Sequence, residues 1–327
     1  MRNVPRSTEN GSVAVLSLWV VVILAFMAVG LARSVHQKIT VFERLSAREI
    51  TRVLGESSVK KLIAQVHASP MMLGDVATGQ EWYYDLLGKK QSFAIGSAVA
   101  RFTVEDENSK INLNKAELSV LADLFYQVSR LSAEEATQLA QAVLDFRDED
   151  DFVTGENNGG SEIGSYREAG LAGAPKNHDL ELIEELMLVK GVTKEIYGSV
   201  ADYITIYGNG RVNINTCKKE TLVILGLTGS LADKILSMRN GRVPKARTQG
   251  PFIFKDLSRI GADISDVYPL SDDEKGSLSH ALAHNELSVT SDHFRIQGLA
   301  ATLDPVFSSR FECIYGVRDG VKYWAEA

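Results

Sequence analysis

The chain has 327 residues, of which 45% are hydrophobic and 24% are charged, and its formal net charge is −7. This length and apolar share suffice for one large or two modest domains with a buried core. The acidic balance disfavours a dedicated nucleic-acid-binding protein, which usually carries a basic excess. The two cysteines, Cys217 and Cys313, do not form a Cys-x-x-Cys pair, which excludes a structural zinc site built on thiolates. They could form a disulfide in an oxidising compartment, but two buried thiols are the favoured interpretation.

The first predicted element is a membrane-spanning helix. The segment from Ser12 to Ala32 reads SVAVLSLWVVVILAFMAVGLA and contains no charged residue. About 20 helical residues cross a hydrocarbon core of about 30 Å. Arg2 and Arg6 precede the span and are opposed only by Glu9, so the positive-inside rule places the amino terminus in the cytoplasm. The bulk of the chain is then expected across the membrane.

Beyond the span, the pattern predicts that the same helix continues. Apolar residues recur at mostly three- to five-residue intervals with charged residues between them, which indicates an amphipathic helix as far as Ala68. Pro70 ends it. A cleaved secretory signal would have a hydrophobic stretch of only about 7–15 residues. One helix of some 85 Å from Ser12 to Ala68 is therefore predicted.

A helix that is apolar all round in its first half and striped in its second resembles the amino terminus of type IV pilin-like subunits. In that family a prepilin peptidase removes a short basic leader that ends in glycine. The resemblance implies a leader of residues 1–11 and cleavage between Gly11 and Ser12, although Asn10 and Ser12 depart from the usual basic and aromatic residues. Most members carry Glu at the fifth mature position, which is Leu16 here. The minor pseudopilin K family of type II secretion characteristically lacks this Glu, and the run from Gly11 onward resembles its start.

The remainder of the chain also resembles the K family. Partly alternating residues from Gln91 to Val104 predict one or two strands. The following VEDENSKINLN segment resembles the family's "DE-x-x-K-I-N-L-N" segment, which leads from a pilin-like sheet into an inserted helical domain. Three-four spacing of apolar residues predicts helices within the insertion. They are Ala116–Tyr126, Ser132–Phe146, Asp179–Val189, Lys194–Tyr207, Lys219–Leu225 and Ser230–Asn240. Predicted strands follow at Leu287–Leu299, Phe307–Val317 and Val321–Trp324.

This order of elements predicts an α+β fold. We expect a pilin-like domain, with a long amino-terminal helix and an antiparallel sheet, interrupted by a large, mostly helical insertion that contains helix-hairpin-helix-like units. The predicted parts are a leader (1–11), the transmembrane part of the helix (12–32), the first part of the pilin-like domain (33–114), the insertion (115–285) and the carboxyl-terminal strands (286–327).

An acidic loop within the insertion is a candidate calcium site. Five carboxylates lie between Asp145 and Asp151 and are opposed only by Arg147. They repel one another unless a cation lies among them, and calcium takes six to eight oxygen ligands. A solvated acidic loop is the alternative. The K family resembles this stretch and binds calcium there, which implies a ligand set drawn from Asp148, Asp150, Asp151, Glu156 and Glu162.

Two glycine-centred turns suggest a rival function. Residues 186–193 and 222–228 each combine an apolar helix end, a glycine and a helix-starting Thr, which resembles the helix-hairpin-helix motif of DNA-binding proteins. Residues 211–247 carry eight basic and two acidic side chains. However, Thr193 and Thr228 replace the second glycine of the motif, which weakens close approach to a phosphate. A membrane-anchored DNA-binding protein is therefore the alternative, and helices that pack a core are favoured.

The sequence favours a non-enzymatic protein. It lacks a G-K-[ST] phosphate loop, a dinucleotide fingerprint, a nucleophile elbow and an H-E-x-x-H zinc motif. Resemblance instead implies a tip subunit of the pseudopilus that initiates assembly for protein export across the outer membrane. Its implied partners are minor pseudopilins I and J, the prepilin peptidase, and secretin or secreted cargo. The implied location is the inner membrane with the bulk of the chain in the periplasm.

Overall fold

The computed structural model describes residues 9–68, 87–149, 175–242 and 252–327. Helix α1 (Glu9–Ala68) has 60 residues, which corresponds to about 90 Å. The predicted long helix is therefore confirmed. Only its carboxyl-terminal third carries a buried stripe, and the members of the stripe lie three or four residues apart on one face. They are Ala47, Thr51, Leu54, Gly55, Ser58, Val59 and Leu62.

The buried stripe packs on an antiparallel five-stranded sheet, as the predicted fold class requires. Its strands are β1 (Gln91–Ile95), β2 (Ala98–Asp106), β7 (His293–Leu303), β8 (Val306–Gly316) and β9 (Gly320–Glu326). The order β1-β2-β7-β8-β9 makes β2 and β7 neighbours, and they pair from Val99–Ala301 to Asp106–Phe294. Strands far apart in sequence therefore form one sheet.

Phe311 on β8 lies at the centre of the contact between α1 and the sheet. Its ring covers two glycines, because a Cβ atom built on Gly55 would lie 3.1 Å from Cδ1 and one on Gly298 would lie 2.5 Å from Cζ. The ring also stacks on Trp324 of β9 at a centroid distance of 6.1 Å. The helix and two neighbouring strands thus approach closely because two side chains are absent.

Between β2 and β7 the chain forms a mostly helical block. Its helices are α2 (Leu118–Ser129), α3 (Ala133–Arg147), α4 (Lys194–Val200), α5 (Lys219–Ile224), α6 (Gly229–Arg239), α7 (Ile260–Ser265) and α8 (Asp272–Ala283). Its short strands are β3 (Ile111–Asn112), β4 (Ile204–Thr205), β5 (Val212–Asn213) and β6 (Leu287–Ser288). Ser132 caps α3 in a capping box with Glu135, as the sequence predicts.

Two predicted helices are shorter than their apolar spacing indicates. The prediction Asp179–Val189 is wrong over its first four residues, and the part at Ile183–Leu188 is a 3-10 helix rather than an α-helix. The side chain of Asn114 binds both the N–H and the C=O of Leu180, which prevents those groups from joining a helix. The prediction Lys194–Tyr207 is wrong beyond Val200 and the 3-10 turn that follows it. There the chain enters β4, which pairs with β3.

The helical block consists of two units built in the same way. In each, a short strand at the start pairs in parallel with a short strand at the end, β3 with β4 and β5 with β6. In each, an asparagine just after the first strand binds both backbone groups of one distant residue. Asn114 does this to Leu180, and Asn215 does it to Phe254. The segments KINLN and RVNIN that begin the units are thus structural equivalents.

Buried apolar side chains of the described residues form two clusters, one in the helical block and one between α1 and the sheet. The chain leaves the sheet after Asp106 and rejoins it at His293. Cys217 belongs to the first cluster and Cys313 to the second, and both are free and buried. Two buried thiols, rather than a disulfide, are therefore what the structure contains.

Candidate functional site: an anchor helix and a buried polar joint

The first half of α1 presents apolar side chains on all sides. From Val13 to Leu31 its large apolar side chains other than Val22 are exposed, with Leu16 at 69% and Phe26 at 76%. Over this stretch the helix is long and apolar enough to cross a membrane. The anchor is therefore compatible with a single-pass membrane protein.

The predicted processing residues lie at the start of this helix. Gly11 and Ser12 both have helical backbone within α1. Leu16 follows one turn after Ser12, and its side chain is uncharged and exposed. The cleavage between Gly11 and Ser12 stays a prediction from resemblance.

An apolar stripe continues along α1 beyond the anchor. Val35, Ile39, Phe42 and Val53 are all exposed, with Phe42 at 72%. At 100° per residue they lie on the side of the helix opposite the stripe that packs on the sheet. Because one face holds the sheet, the other remains available for a second helix.

The helical block is joined to the sheet by three consecutive polar residues, Asp106, Glu107 and Asn108, which we call the polar joint. All three are buried, with exposures of 4%, 0% and 4%. They lie where β2 ends and the chain enters the first unit. Buried polar groups of this kind are tolerated when they are hydrogen-bonded, and here each one contacts a distant part of the chain.

Asp106 connects the joint to the second unit and to the returning strand. Its carboxylate accepts hydrogen bonds from the hydroxyls of Thr216 and Ser291, both at 2.5 Å, and from the backbone N–H of Asn108 at 2.9 Å. Burial raises the pKa of Asp106 to about 6, and these three donors oppose the rise.

Glu107 is the ionic centre of the joint. It pairs with Lys110 at 2.6 Å and with Arg295 of β7 at 2.7 Å. It also accepts a hydrogen bond from Thr205 of β4 at 2.5 Å. Burial would raise the pKa of Glu107, but the two cations outweigh it and hold the pKa below its usual value. A fully buried charge is thus compensated from the first unit and from the sheet.

Asn108 completes the joint at the exit of the block. Its side-chain oxygen accepts hydrogen bonds from the backbone N–H groups of Asp292 and His293, at 3.0 and 2.9 Å. The entry and exit chains are therefore fastened to each other, and both units are fastened to the sheet. In the sequence, the only local signal of this joint is the Asp-Glu-Asn cluster directly after an alternating strand.

Residues 99–209, which include all but the first residue of β2 and the whole joint, match the family model of the Type II secretion system (T2SS), protein K. This match covers about a third of the chain and shows a likeness to protein K over that segment. A chain in the crystal structure of the GspK-GspI-GspJ complex from the enterotoxigenic Escherichia coli type 2 secretion system has the same fold. Its TM-score is 0.63 at 17% sequence identity, and the match covers 86% of this chain and 96% of that chain. A comparison with curated proteins gave no match.

These likenesses support the resemblance to a type II secretion minor pseudopilin K. The family is a structural component of the secretion machinery and is not a known enzyme. The predicted pilin-like α+β fold, with its long apolar helix and antiparallel sheet, is confirmed.

Of the predicted calcium ligands, the structure describes only Asp148, directly after α3 and partly buried. The others, Asp150, Asp151, Glu156 and Glu162, lie outside the described residues. Within the described ranges, no group of three or more His, Cys, Asp or Glu side chains is placed to hold a metal ion. The calcium site therefore stays a prediction.

The two glycine turns have the backbone that their sequence predicts, with φ of 90° at Gly191 and 80° at Gly226. Turns of this kind favour glycine because other residues seldom adopt positive φ. The basic side chains nearby are engaged within the fold. Lys219 pairs with Asp233, Lys234 pairs with Glu274, and Arg239 donates to a backbone carbonyl. Three of the eight basic side chains counted above, Lys218 among them, are paired with carboxylates, and Lys245 and Arg247 lie outside the described residues.

Proposed function

We propose that this chain is the tip subunit of a type II secretion pseudopilus, which assembles with minor pseudopilins I and J and initiates the filament for protein export across the outer membrane. The family match supports the subunit type. The similar structure is a complex of GspK with GspI and GspJ, which supports I and J as the partners.

The observation that carries the proposal is the two-faced helix α1. Its outer stripe, from Val35 to Val53, is exposed although it is apolar, and an exposed apolar stripe at helical spacing is the usual binding face for another amphipathic helix. The sheet covers the opposite face. Helices of other pseudopilins could thus pack along α1 without displacing the sheet.

Two features support the tip position. A Glu buried in a helical bundle is costly unless it is paired, and a leading subunit has no subunit ahead of it to complement. Leu16 avoids that cost. The helical block also enlarges one end of the sheet, which favours the end of a filament over its interior, and an exposed tip is free to meet secretin or cargo.

The remaining parts of the proposal concern location and processing. The charge-free span after Arg2 and Arg6 supports an inner-membrane anchor with a cytoplasmic amino terminus and a periplasmic bulk. Removal of residues 1–11 by a prepilin peptidase would leave the helix in place for assembly. Calcium bound at the acidic loop after Asp148 would order that loop in the helical block.

Co-purification from membranes that contain the full chain and minor pseudopilins I and J tests the proposal. Phe42→Ser should sharply reduce recovery of I and J, because it removes an apolar side chain from the outer stripe. Arg44→Ser is the matched control, since it lies 200° around the helix from Phe42. Equal recovery of I and J with both variants, or no recovery with the unaltered chain, would refute the proposed assembly.

A further inference from the structure

A cavity of about 190 Å³ lies where the two units of the helical block meet. The first unit contributes residues around the start of α2, and the second contributes the residues that follow α8. Its lining includes Lys115, Glu117, Val120, Arg211, His284 and Glu286. The volume far exceeds the 10–15 Å³ that one water molecule needs, so the cavity is large enough for part of a ligand.

Glu286 is held firmly in the wall of this cavity. It follows Asn285, whose φ of 61° turns the chain out of α8. The N–H of Glu286 donates to the carbonyl of Ala281, and its carbonyl accepts from the N–H of Val212. The end of α8 and the first residue of β5 thus hold both backbone groups of Glu286. These contacts fix the position of its Cα atom, from which the side chain extends.

The carboxylate of Glu286 lacks compensation. Its Oε2 atom is buried and has no hydrogen-bond partner, and Glu286 forms no ion pair, among the residues that the structure describes. Burial raises the pKa of Glu286, and the nearby carboxylates Glu117 and Asp123 raise it further, whereas His284 opposes them. Glu286 as a whole is partly exposed, but its Oε2 atom is buried. Leaving such an atom without a partner is costly, and a cation beside it would remove that cost.

The rest of the lining suits a long side chain. Ile111, Val120 and Leu225 give the cavity an apolar wall, along which the methylene stem of a Lys or Arg side chain can lie. Of the two cations in the lining, Lys115 pairs at the rim with Asp179 at 3.1 Å, and Arg211 forms no ion pair with Glu286 in the described part of the chain. The cavity therefore combines an apolar wall with an uncompensated carboxylate.

We infer that this cavity receives a Lys or Arg side chain from a partner protein, with Glu286 as the ionic acceptor and Glu117 as a second carboxylate near it. Charge-assisted contacts of this type are stronger than those between neutral groups. This site is separate from the outer stripe of α1, so its failure and the failure of the proposed assembly can be told apart.

The test uses the full chain in detergent and blocked amino acids as probes. Binding of N-acetyl-arginine amide and N-acetyl-lysine amide is measured by calorimetry, with N-acetyl-norleucine amide as the uncharged probe. We expect both cationic probes to bind at least tenfold more tightly than the norleucine probe. Glu286→Gln should weaken that binding at least tenfold, whereas Glu134→Gln, on the exposed face of α3, should leave it unchanged.

Three results would overturn the inference. The uncharged probe could bind as well as the cationic ones, which would indicate an apolar pocket. N-acetyl-glutamate amide could bind more tightly than the cations and lose its affinity in Arg211→Gln, which would indicate an anion site. Putrescine could bind more tightly than either blocked amino acid, which would indicate a free polyamine.

The melting temperature of Glu286→Gln separates a binding role from a structural one. Because the carboxylate of Glu286 is uncompensated, the isosteric neutral side chain should leave the melting temperature unchanged or raise it. A lower melting temperature would mean that the charge of Glu286 stabilises the fold and would contradict the inference, even if probe binding were also lost.

Discussion

The carboxylate of Asp106 accepts a hydrogen bond from the hydroxyl of Ser291, 185 residues later in the chain. This bond lies where the chain leaves the sheet and where it returns. It therefore joins the two ends of the helical block at one buried point. The stability of that connection then depends on whether Asp106 is ionised.

We expect the stability of the protein to depend on pH through Asp106. Burial raises its pKa to about 6, whereas Asp in an unfolded chain titrates near 3.9. Between these values the folded chain retains a proton that the unfolded chain has lost. The contribution of Asp106 is therefore fully present below about pH 4 and is lost as the pH rises through 6. The difference corresponds to about 3 kcal/mol.

Asp106→Asn imitates the protonated carboxyl and measures this contribution. Denaturant unfolding at several pH values should show that the variant gains stability relative to the unaltered chain, by up to about 3 kcal/mol between pH 4 and pH 7. If stability changes with pH in the same way in both proteins, Asp106 stays ionised in the fold. Hydrogen bonds from Thr216, Ser291 and the backbone would then stabilise its charge.

Substitution of Gly298 by Ala should destabilise the contact between α1 and the sheet. The added methyl group would lie 2.5 Å from Cζ of Phe311 and 2.7 Å from Cβ of Phe102. Overpacking of this kind costs about 1–3 kcal/mol. Gly276→Ala in α8 is the control, because no atom lies within 4 Å of the added group, and Ala in a helix stabilises by about 0.5–1 kcal/mol. Thermal melts should therefore move in opposite directions, and equal melting temperatures would contradict the packing of Phe311.

Gly11→Val should block removal of the leader, because the peptidase must accommodate a residue without a side chain before the cut. Intact-mass measurement should then show a chain that retains residues 1–11. Gly30→Val introduces the same change later in α1, where no atom lies within 4 Å, and should be processed normally. A mature chain that begins near Ser34 in all three proteins would indicate an ordinary signal peptide.

Calcium should raise the melting temperature if the acidic loop binds it. At a hundredfold excess over the dissociation constant, bound calcium stabilises by about 2.7 kcal/mol, which corresponds to a few degrees for a domain of this size. Asp150→Ala combined with Glu162→Ala should abolish the shift. Asp272→Ala should not, since this fully exposed side chain lies at the start of α8.

Two results would contradict the calcium site. Identical melting curves in calcium and in a chelator would favour a solvated acidic loop. Equal stabilisation by magnesium would indicate charge screening, because magnesium prefers octahedral coordination with retained water.

The sequence was most informative where one periodic signal extended over many residues. The apolar run and the stripe that follows it predicted α1 within a few residues of its observed bounds, and partial alternation predicted the strands between Gln91 and Val104. The helix prediction from apolar spacing was wrong near Leu180. There the side chain of the distant Asn114 forms hydrogen bonds with the backbone groups that a helix would use. Contacts across 66 residues leave no local pattern.

The repeated construction of the helical block was visible in the sequence but its meaning was not. KINLN and RVNIN share two asparagines at the same spacing, and only the structure shows that Asn114 and Asn215 have equivalent roles. The partners of the polar joint were likewise hidden, because nothing in the sequence marks Thr205, Thr216 and Ser291 as contacts of Asp106 and Glu107. Pairing partners of buried acids cannot be derived from spacing alone.

The neighbouring entry and exit of the helical block have a mechanical consequence. A pull on the block along the strands would load β2 and β7 together and in the same direction, since both are attached to it at the same end of the sheet. The hydrogen-bond ladders between β1 and β2 and between β7 and β8 would then be loaded in shear. All the hydrogen bonds of a ladder would share the force at once. A thrust or drag on the helical block would thus reach α1 without separating the sheet one strand at a time.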